Sequence, residues 1–297
     1  MSFTNRSISL IGISVLALML GISLSAAAQT PSPTPLASPS PTLEHEFFKN
    51  VLRDQKAIWT APFHLHQRDA RWLAPIGLGT AALIATDQQT GDEMAESTGQ
   101  LNASRIVSYA GSAYGVGAVA GAFYIAGRAG HDPRARETGV LGAEALVDSA
   151  IVVTALKEIT QRTRPSGGRS RSDFFDGGSS FPSGHSIEAW SLATVIANEY
   201  HGRLGVQIAA YGIASAVSVA RFTGQKHYLS DVLVGSAMGY GIGRYVYRTH
   251  HRTSSASGDG NEEEEAFWES RQKRSIFVTP VYSRMAHAYG AAATWSF

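Results

Sequence analysis

Three short segments of the 297-residue chain place histidines and basic residues at spacings that suit an anionic substrate. In the first segment, Lys157 and Arg164 are seven positions apart and Pro165 follows. Seven positions are close to two helical turns, so both cations project from nearly the same side of any helix that reaches Arg164. Proline disfavours helical geometry in the preceding residue, which predicts that the helix ends at Arg164. Paired cations of this kind suit the binding of an oxyanion. The alternative is that they only form a cationic helix end, which the helix dipole favours.

The second segment is a proline-serine-glycine-histidine sequence that follows a glycine-rich loop and precedes an apolar helical stretch. Ser183 is a favourable N-cap, and Gly184 lets the backbone approach a ligand closely. The exposed amides of a helix start bind anions. His185 then lies in the first helical turn, where it can exchange a proton with whatever the amides hold. The Gly-x-Ser-x-Gly sequence typical of serine hydrolases is absent from the sequence.

The third segment contains Arg221, His227 and Asp231. Because His227 and Asp231 are four positions apart, we expect them to be neighbours on one helix face. A carboxylate that accepts from one imidazole nitrogen fixes the tautomer and makes the other nitrogen a better nucleophile. Arg221 adds a fork of donors suited to phosphate. A metal-ligand pair is the alternative interpretation, but no third and fourth ligand accompanies it at a recognisable spacing.

The elements that must position these residues are helices. Apolar periodicity between Ala70 and Tyr247 predicts helices separated by short polar loops. Their predicted ranges are about 72–86, 104–128, 139–161, 184–200, 204–221 and 229–248. The stretch Ile106–Gly127 has no charged residue and is long enough to cross a bilayer. The helices therefore form either a tightly packed soluble bundle or membrane spans whose polar groups face an internal site.

The two ends of the chain differ from its centre. Arg6, an apolar run and an Ala-x-Ala-like exit predict a secretory signal peptide at 1–28, with an uncleaved anchor as the alternative. The domain organisation that we predict is a signal peptide at 1–28, a Pro/Ser/Thr-rich linker at 29–42, a helical domain at 43–250, a polar acidic linker at 251–274 and a tail of β character at 275–297. The signal places the mature protein in the cell envelope.

Composition excludes several classes of function. Charged residues make up 16% of the chain and hydrophobic residues 44%, which argues against disorder throughout. The formal net charge is +1, from 25 basic and 24 acidic residues, so no overall field favours nucleic acid. Cysteine is absent, which excludes disulfides, thiolate metal ligands and a cysteine nucleophile.

Taken in order, Lys-x6-Arg-Pro, Pro-Ser-Gly-His and Arg-x5-His-x3-Asp closely resemble the signature of the superfamily of type 2 phosphatidic acid phosphatases and vanadium-dependent haloperoxidases. The resemblance covers residues 157–231 by motif and about 70–248 by helix pattern. It implies an all-α fold, a helical bundle of about six core helices. The family's third motif usually begins with serine before the arginine; Ala220 stands there in this chain, which removes one polar contact but leaves the later motif residues intact.

The resemblance also implies a role for each motif residue. His227 would be the nucleophile that takes the phosphoryl group, oriented by Asp231, and His185 would protonate the leaving alkoxide and then activate water. The residues that would hold the phosphoryl oxygens are Lys157, Arg164, Ser183, Gly184 and Arg221. Three cations and helix-terminal amides can neutralise the transferring group, so the expected mechanism needs no metal.

The function implied is a metal-independent phosphatase that hydrolyses phosphate monoesters or pyrophosphates through a phosphohistidine. Apolar helices and the export signal favour a lipid substrate and a site on the periplasmic side of a membrane. A soluble periplasmic acid phosphatase acting on a small phosphorylated molecule is the variant if the helices only form a bundle. Two other functions compete: a haloperoxidase with vanadate as cofactor in the same pocket, and a non-catalytic envelope protein, which would make the three motifs accidental.

Overall fold

The structure, a computed structural model, describes residues 43–65, 67–93, 97–165, 172–251, 276–283 and 288–295. The helices in these ranges are α1 (Leu43–Thr60), α2 (Gln67–Asp92), α3 (Thr98–Ala110), α4 (Ala113–Ala129), α5 (Pro133–Thr160), α6 (Gly184–Glu199), α7 (Leu204–Thr223) and α8 (Leu229–His250), with a short 3-10 helix at Ala61–His64. The predicted all-α bundle is confirmed. The predicted signal peptide, the first linker and all of the acidic linker after His251 lie outside the described residues.

The chain divides into two compact units, Met1–His251 and Arg252–Phe297. The first contains the helical bundle. In the second, β1 (Ile276–Ser283) pairs with β2 (Ala288–Trp295) in an antiparallel hairpin. The tail predicted to have β character thus contains a two-stranded sheet.

Helix α6 is the centre of the bundle, with α5, α7 and α8 packed around it. Its contact with α8 is close because α8 presents glycines at every fourth position, Gly235, Gly239 and Gly243. A Cβ built at Gly239 would lie 2.3 Å from the Ile187 carbonyl oxygen, and one built at Gly243 would lie 2.3 Å from that of Ser191. These glycines bring the backbones together, so the starts of α6 and α8 lie side by side.

The single long helix predicted over 104–128 is wrong, because the structure has two helices there, α3 and α4. Gly111 ends α3, and the Ser112 hydroxyl accepts a hydrogen bond from the Gly115 amide (3.2 Å) as the N-cap of α4. A Cβ at Gly111 would lie 2.1 Å from Val217 Cγ1 on α7. The bend therefore exists because α7 packs directly against the backbone, a tertiary contact that hydrophobic periodicity does not reveal.

Polar side chains attach α1 to the bundle. The Asn50 amide donates to Glu144 (3.0 Å) and the Gln55 amide donates to Asp148 (2.8 Å). At the end of α8, His250 Nε2 lies 2.9 Å from both carboxylate oxygens of Asp54. Buried polar groups of this kind need partners, and α1 supplies them. The acidic residues on α5 thus have a structural role in joining helices.

Three helical segments are long and apolar enough to cross a membrane by length and composition: Thr98–Ala129, Pro133–Thr160 and Leu204–Thr223. The first contains the bend between α3 and α4. Large apolar side chains on these segments are exposed in the isolated chain, among them Tyr114 at 92%, Ile125 at 67% and Ile208 at 64%. A surface of this kind suits contact with lipid.

Candidate active site

Four helix ends converge at one end of the bundle, and the three motifs occupy them. Lys157 lies in the last turn of α5, Ser183 and His185 lie at the start of α6, Arg221 lies in the last turn of α7, and Asp231 lies in the first turn of α8. Residues separated by more than 70 positions are thereby brought into one site.

Lys157 and Arg164 do not share a helix face, contrary to the prediction from their spacing. Helix α5 ends at Thr160, because Gln161 adopts a left-handed conformation with φ of 43°. Arg164 instead lies on the following irregular segment and donates to the carbonyl and hydroxyl oxygens of Ser179 at 3.3 and 3.2 Å. Lys157 reaches the site directly from the helix: a Cβ built at Gly184 would lie 3.5 Å from its Nζ. The lysine ammonium therefore lies beside the start of α6.

Ser183 occupies the N-cap position of α6, as predicted, but its side chain makes no cap bond to the backbone. Its hydroxyl instead accepts from Ser186 Oγ at 3.0 Å, and its amide donates to the Asp231 carbonyl at 3.1 Å. The first amides of a helix have no intrahelical acceptor, so those of Gly184 and His185 remain available to an anion beside the Lys157 ammonium.

Arg221 and His227 are joined by a tight loop. The amides of Lys226 and His227 both donate to the Arg221 carbonyl, at 3.1 and 3.2 Å. The loop therefore places His227 close to the arginine despite the six positions between them. The Nε atom of Arg221 is buried and has no hydrogen-bond partner among the described residues.

The geometry around His227 differs from the predicted pairing with Asp231. Helix α8 begins at Leu229, so His227 precedes the helix and does not share a face with Asp231. Its Nδ1 lies 2.7 Å from the Ser180 carbonyl oxygen but 3.5 Å from Asp231 Oδ2. A carbonyl oxygen only accepts, so Nδ1 carries the proton and Nε2 has the lone pair. Nε2 is buried and lacks a hydrogen-bond partner in the described part of the chain.

Asp231 holds the loops around His227. Its Oδ2 accepts from Ser180 Oγ at 2.5 Å and from the Tyr228 amide at 2.9 Å. Both bonds fix the positions of the segments on either side of the imidazole. Burial on its own raises the pKa of Asp231, but its hydrogen bonds and the Arg162 guanidinium lower it overall, so the carboxylate is ionised at neutral pH.

Arg162 is the residue that the sequence interpretation missed. It is fully buried and donates to Asp231 Oδ1 (2.5 Å) and Ser230 Oγ (2.7 Å) through Nη1, and to Asp87 Oδ2 (2.8 Å) through Nη2. Its carbonyl accepts from the Ser180 amide at 2.8 Å. Arg162 therefore fixes both the carboxylate of Asp231 and the residue whose carbonyl orients His227. The signal available in the sequence was a second arginine two positions before Arg164.

Both site histidines are neutral at pH 7. Burial lowers the pKa of His227 to about 4. The positive charges of Arg221 and Arg164 also lower this pKa, whereas Asp231 raises it. Burial lowers the pKa of His185 to about 3, assisted by the positive charges of Arg221, Lys157 and Arg164. An anion bound beside these cations would offset their charge and so raise the pKa of His185.

Among the described residues, the group of side chains that could hold a metal ion lies outside the three motifs. Its members are Glu137, Glu199 and His251. His251 Nδ1 lies 3.3 Å from an oxygen of each glutamate. Burial by itself lowers the pKa of His251, but the two carboxylates raise it to about 10, so the three side chains form an ion triad.

Comparison with known proteins gives three results. The model of the PAP2 superfamily matches residues 139–255. The lipid A 1-phosphatase of Porphyromonas gingivalis is 33% identical over 103 residues, which is 34% of this chain and 23% of that protein. The match therefore spans less than a quarter of that relative.

Two solved structures are similar in part. The first transmembrane PAP2-type phosphatidylglycerolphosphate phosphatase from Bacillus subtilis is 20% identical with a TM-score of 0.46, over 59% of this chain and 94% of that one. Aquifex aeolicus LpxE is 23% identical with a TM-score of 0.42, over 52% of this chain and 88% of that one. The family match includes every motif residue from Lys157 to Asp231. Residues 139–255 of this chain, which contain the motif residues, are thus similar to the PAP2 superfamily.

Proposed function

We propose that the protein is a phosphatase that hydrolyses a phosphate monoester or a pyrophosphate carried by a lipid, through a phosphohistidine formed on His227. The observation that carries this proposal is the state of His227: its Nδ1 donates to the Ser180 carbonyl, and its buried Nε2 is left with a lone pair and no hydrogen-bond partner among the described residues. A neutral imidazole held in that tautomer is a nucleophile at neutral pH.

The phosphoryl oxygens bind to Lys157, Arg164, Arg221 and the first amides of α6 at Gly184. Lys157, Arg164 and Arg221 lie close enough to repel one another, so they add positive charge to one site. The Nε atom of Arg221 would also gain a partner for its buried N–H. Charge stabilisation of this kind is the main requirement of phosphoryl transfer. The same groups make a metal ion unnecessary for the step. Since Nε2 of His227 is buried, binding must also move the side chains that cover it.

The reaction then proceeds in two displacements. His185 takes up a proton when the phosphate group binds and offsets the nearby cations. His227 Nε2 then forms a bond to phosphorus while the bond from phosphorus to the leaving oxygen breaks, and His185 donates its proton to that oxygen. In the second displacement His185 takes a proton from water, the water oxygen bonds to phosphorus, and the phosphorus–nitrogen bond breaks. Phosphate is released and both histidines return to their starting states.

A lipid substrate is supported by two observations. Three helical segments are long and apolar enough to cross a membrane. The relative from Porphyromonas gingivalis is named for its action on lipid A. We place the site on the outer side of the membrane because of the predicted export signal, which lies outside the described residues. A soluble periplasmic acid phosphatase remains the variant, whereas a vanadate-dependent haloperoxidase has no support from the comparisons.

Phosphate release in EDTA tests the proposal, with phosphatidic acid, an isoprenyl diphosphate and para-nitrophenyl phosphate as substrates. We expect wild-type protein to be active, His227→Ala to be inactive, and the exposed-histidine control His64→Ala to match the wild type. Rapid quenching with radiolabelled substrate should label the wild type with acid-labile, base-stable phosphate. Activity in His227→Ala, or its loss with EDTA, would refute the mechanism. Release of the protein by osmotic shock without detergent would favour the soluble variant.

A further inference from the structure

The ion triad of Glu137, Glu199 and His251 lies at the opposite end of the bundle from the proposed active site. Glu137 lies near the start of α5, Glu199 is the last residue of α6, and His251 directly follows α8. The motif residues lie at the other ends of the same three helices. Helix α6 has 16 residues, so its two ends are about 24 Å apart. The triad is therefore too far from His185 to take part in the proposed reaction.

The spacing of the three side chains matches the spacing of ligands around one metal ion. Nδ1 of His251 lies 3.3 Å from an oxygen of Glu137 and 3.3 Å from an oxygen of Glu199. The three candidate ligand atoms all lie within 4.8 Å of one another. Nitrogen and oxygen ligands at about 2.0–2.2 Å from a tetrahedral ion are about 3.3–3.6 Å apart. A single ion could therefore bind all three side chains after only a small movement.

The proton of His251 serves the two carboxylates poorly on its own. Nδ1 has one proton to share, and 3.3 Å to each acceptor is longer than an ordinary N–H···O hydrogen bond. Glu199 is 2% exposed, and its Oε2 atom has no hydrogen-bond partner among the described residues. Burial raises the pKa of Glu199, against the opposing effects of His251 and Arg134. The buried carboxylate thus has an unused ligand atom and a negative charge that its neighbours do not fully offset.

The elements that supply the three ligands are fixed in position. The His251 ring stacks on Tyr247 with the ring centroids 4.5 Å apart, and its backbone amide donates to the Tyr247 carbonyl at 2.9 Å. Helices α5, α6 and α8 all pack against one another. Ligands on rigid, packed elements form a more precise metal site than ligands on loops.

We propose that Glu137, Glu199 and His251 bind one divalent transition-metal ion, with Zn²⁺ as the ion that fits best, and that this ion joins the start of α5 to the ends of α6 and α8. One imidazole nitrogen with carboxylate oxygens suits Zn²⁺, whereas Mg²⁺ and Ca²⁺ prefer oxygen ligands alone. The metal ion takes the place of the proton on Nδ1 of His251, so binding releases that proton.

The role of this site is structural, and the proposal does not rest on the proposed function. The ion would stabilise the end of the bundle that is remote from the motif residues. In EDTA, the protonated His251 still joins the two glutamates, so the fold and the metal-independent reaction at His227 are expected to persist. Chelation should therefore lower the melting temperature without abolishing phosphatase activity.

The test uses the purified full chain, treated with EDTA and then freed of it, to which ZnCl₂, MgCl₂ or CaCl₂ is added. We expect each chain to retain a single Zn²⁺ after desalting. Zn²⁺ at about a hundred times its dissociation constant should raise the melting temperature by about 5–11 °C, and Mg²⁺ and Ca²⁺ should not. Co²⁺ in the same site should show the strong visible absorption of a four-coordinate ion, which octahedral Co²⁺ in water lacks.

The variants Glu199→Gln, Glu137→Gln and His251→Gln each remove one ligand. The quantity to compare is the rise in melting temperature that Zn²⁺ causes in each protein, because this rise does not depend on how stable the metal-free variant is. The rise and the retained Zn²⁺ should be lost in all three. His201→Gln, an exposed histidine two positions after Glu199, and the exposed acid variant Glu93→Gln are the controls and should keep both.

Three outcomes would refute the metal site. The first is a wild-type chain that retains no Zn²⁺ and shows no rise, which would leave the three side chains as an ion triad only. The second is a rise that persists in the ligand variants, because the ion would then bind elsewhere. The third, which needs only wild-type protein, is Co²⁺ without strong visible absorption. Phosphatase activity is not a readout in any of them, so failure of the proposed function would leave this result unchanged.

Discussion

Replacing Arg162 tests whether the buried charges behind His227 hold the site together. Its guanidinium donates to Asp231, Ser230 and Asp87 and lies between the rings of Phe174 and Tyr228, 4.7 and 4.4 Å from their centroids. Arg162→Met has a similar length and apolar character but supplies no donor. The substitution leaves two buried carboxylates, those of Asp231 and Asp87, without their cation. An uncompensated buried charge strongly destabilises the folded state.

The expected magnitude follows from that geometry. Removing one partner of a buried ion pair costs about 3–5 kcal/mol in the free energy of unfolding. In a domain of this size, 1 kcal/mol corresponds to roughly 2–4 °C of melting temperature, so Arg162→Met should melt roughly 6–20 °C below the wild type. Arg162→Lys keeps the charge but cannot reach three acceptors at once, and we expect a smaller loss. Arg128→Met is the control, because Arg128 is exposed.

Activity separates a positioning role from a merely structural one. Arg162 is buried behind Asp231 and does not face the substrate, so its loss should leave KM unchanged in the protein that still folds. The value of kcat should fall, because Asp231 loses the guanidinium that fixes it and so no longer holds the Ser180 hydroxyl and the loop around His227 in place. Both constants are measured per active site, and the active sites are counted from the amplitude of the phosphohistidine burst in the wild type, Arg162→Lys and Arg162→Met. A wild-type kcat together with a wild-type melting temperature in Arg162→Met would refute the reasoning.

Two further predictions use features of the same region. His227 must be neutral to attack and its pKa is lowered to about 4, whereas His185 must be protonated and its pKa in the free enzyme is lowered to about 3. We therefore expect kcat/KM, corrected for substrate ionisation, to rise on acidification and to fall only below about pH 4; a fall on acidification with a midpoint near the ordinary histidine value would contradict the buried environment. Gly239→Ala should lower the melting temperature because its Cβ would meet the Ile187 carbonyl at 2.3 Å. Gly241→Ala is the matched control: its Cβ would have nothing within 4 Å, so it should raise the free energy of unfolding by about 0.5–1 kcal/mol. Equal melting temperatures in the two variants would show that α6 and α8 are not in close contact.

The sequence predicted the helices better than it predicted their ends. Periodicity reports which side of a segment is buried, and this suffices to identify α6, α7 and α8 within a few residues. It does not report where another helix presses on the backbone, which is why the bend at Gly111 was missed. Periodicity placed the end of α5 near 161, one residue from Thr160, whereas the argument from Pro165 placed it at Arg164 and was wrong; the left-handed Gln161 that ends the helix is not glycine or asparagine and carries no local signal.

The candidate site shows the same division between residue types and geometry. Spacing and family resemblance led to the eight motif residues, whose side chains are what phosphoryl transfer requires. The acceptor that fixes the His227 tautomer is, however, the backbone carbonyl of Ser180, 47 positions away. Every residue has a carbonyl, so no residue type could indicate it. Its position depends on Arg162 and Asp231, whose bond joins segments 69 positions apart. The reactivity that we propose for His227 therefore depends on packing between distant segments, and substitutions at Arg162 should alter it although Arg162 makes no hydrogen bond with the histidine.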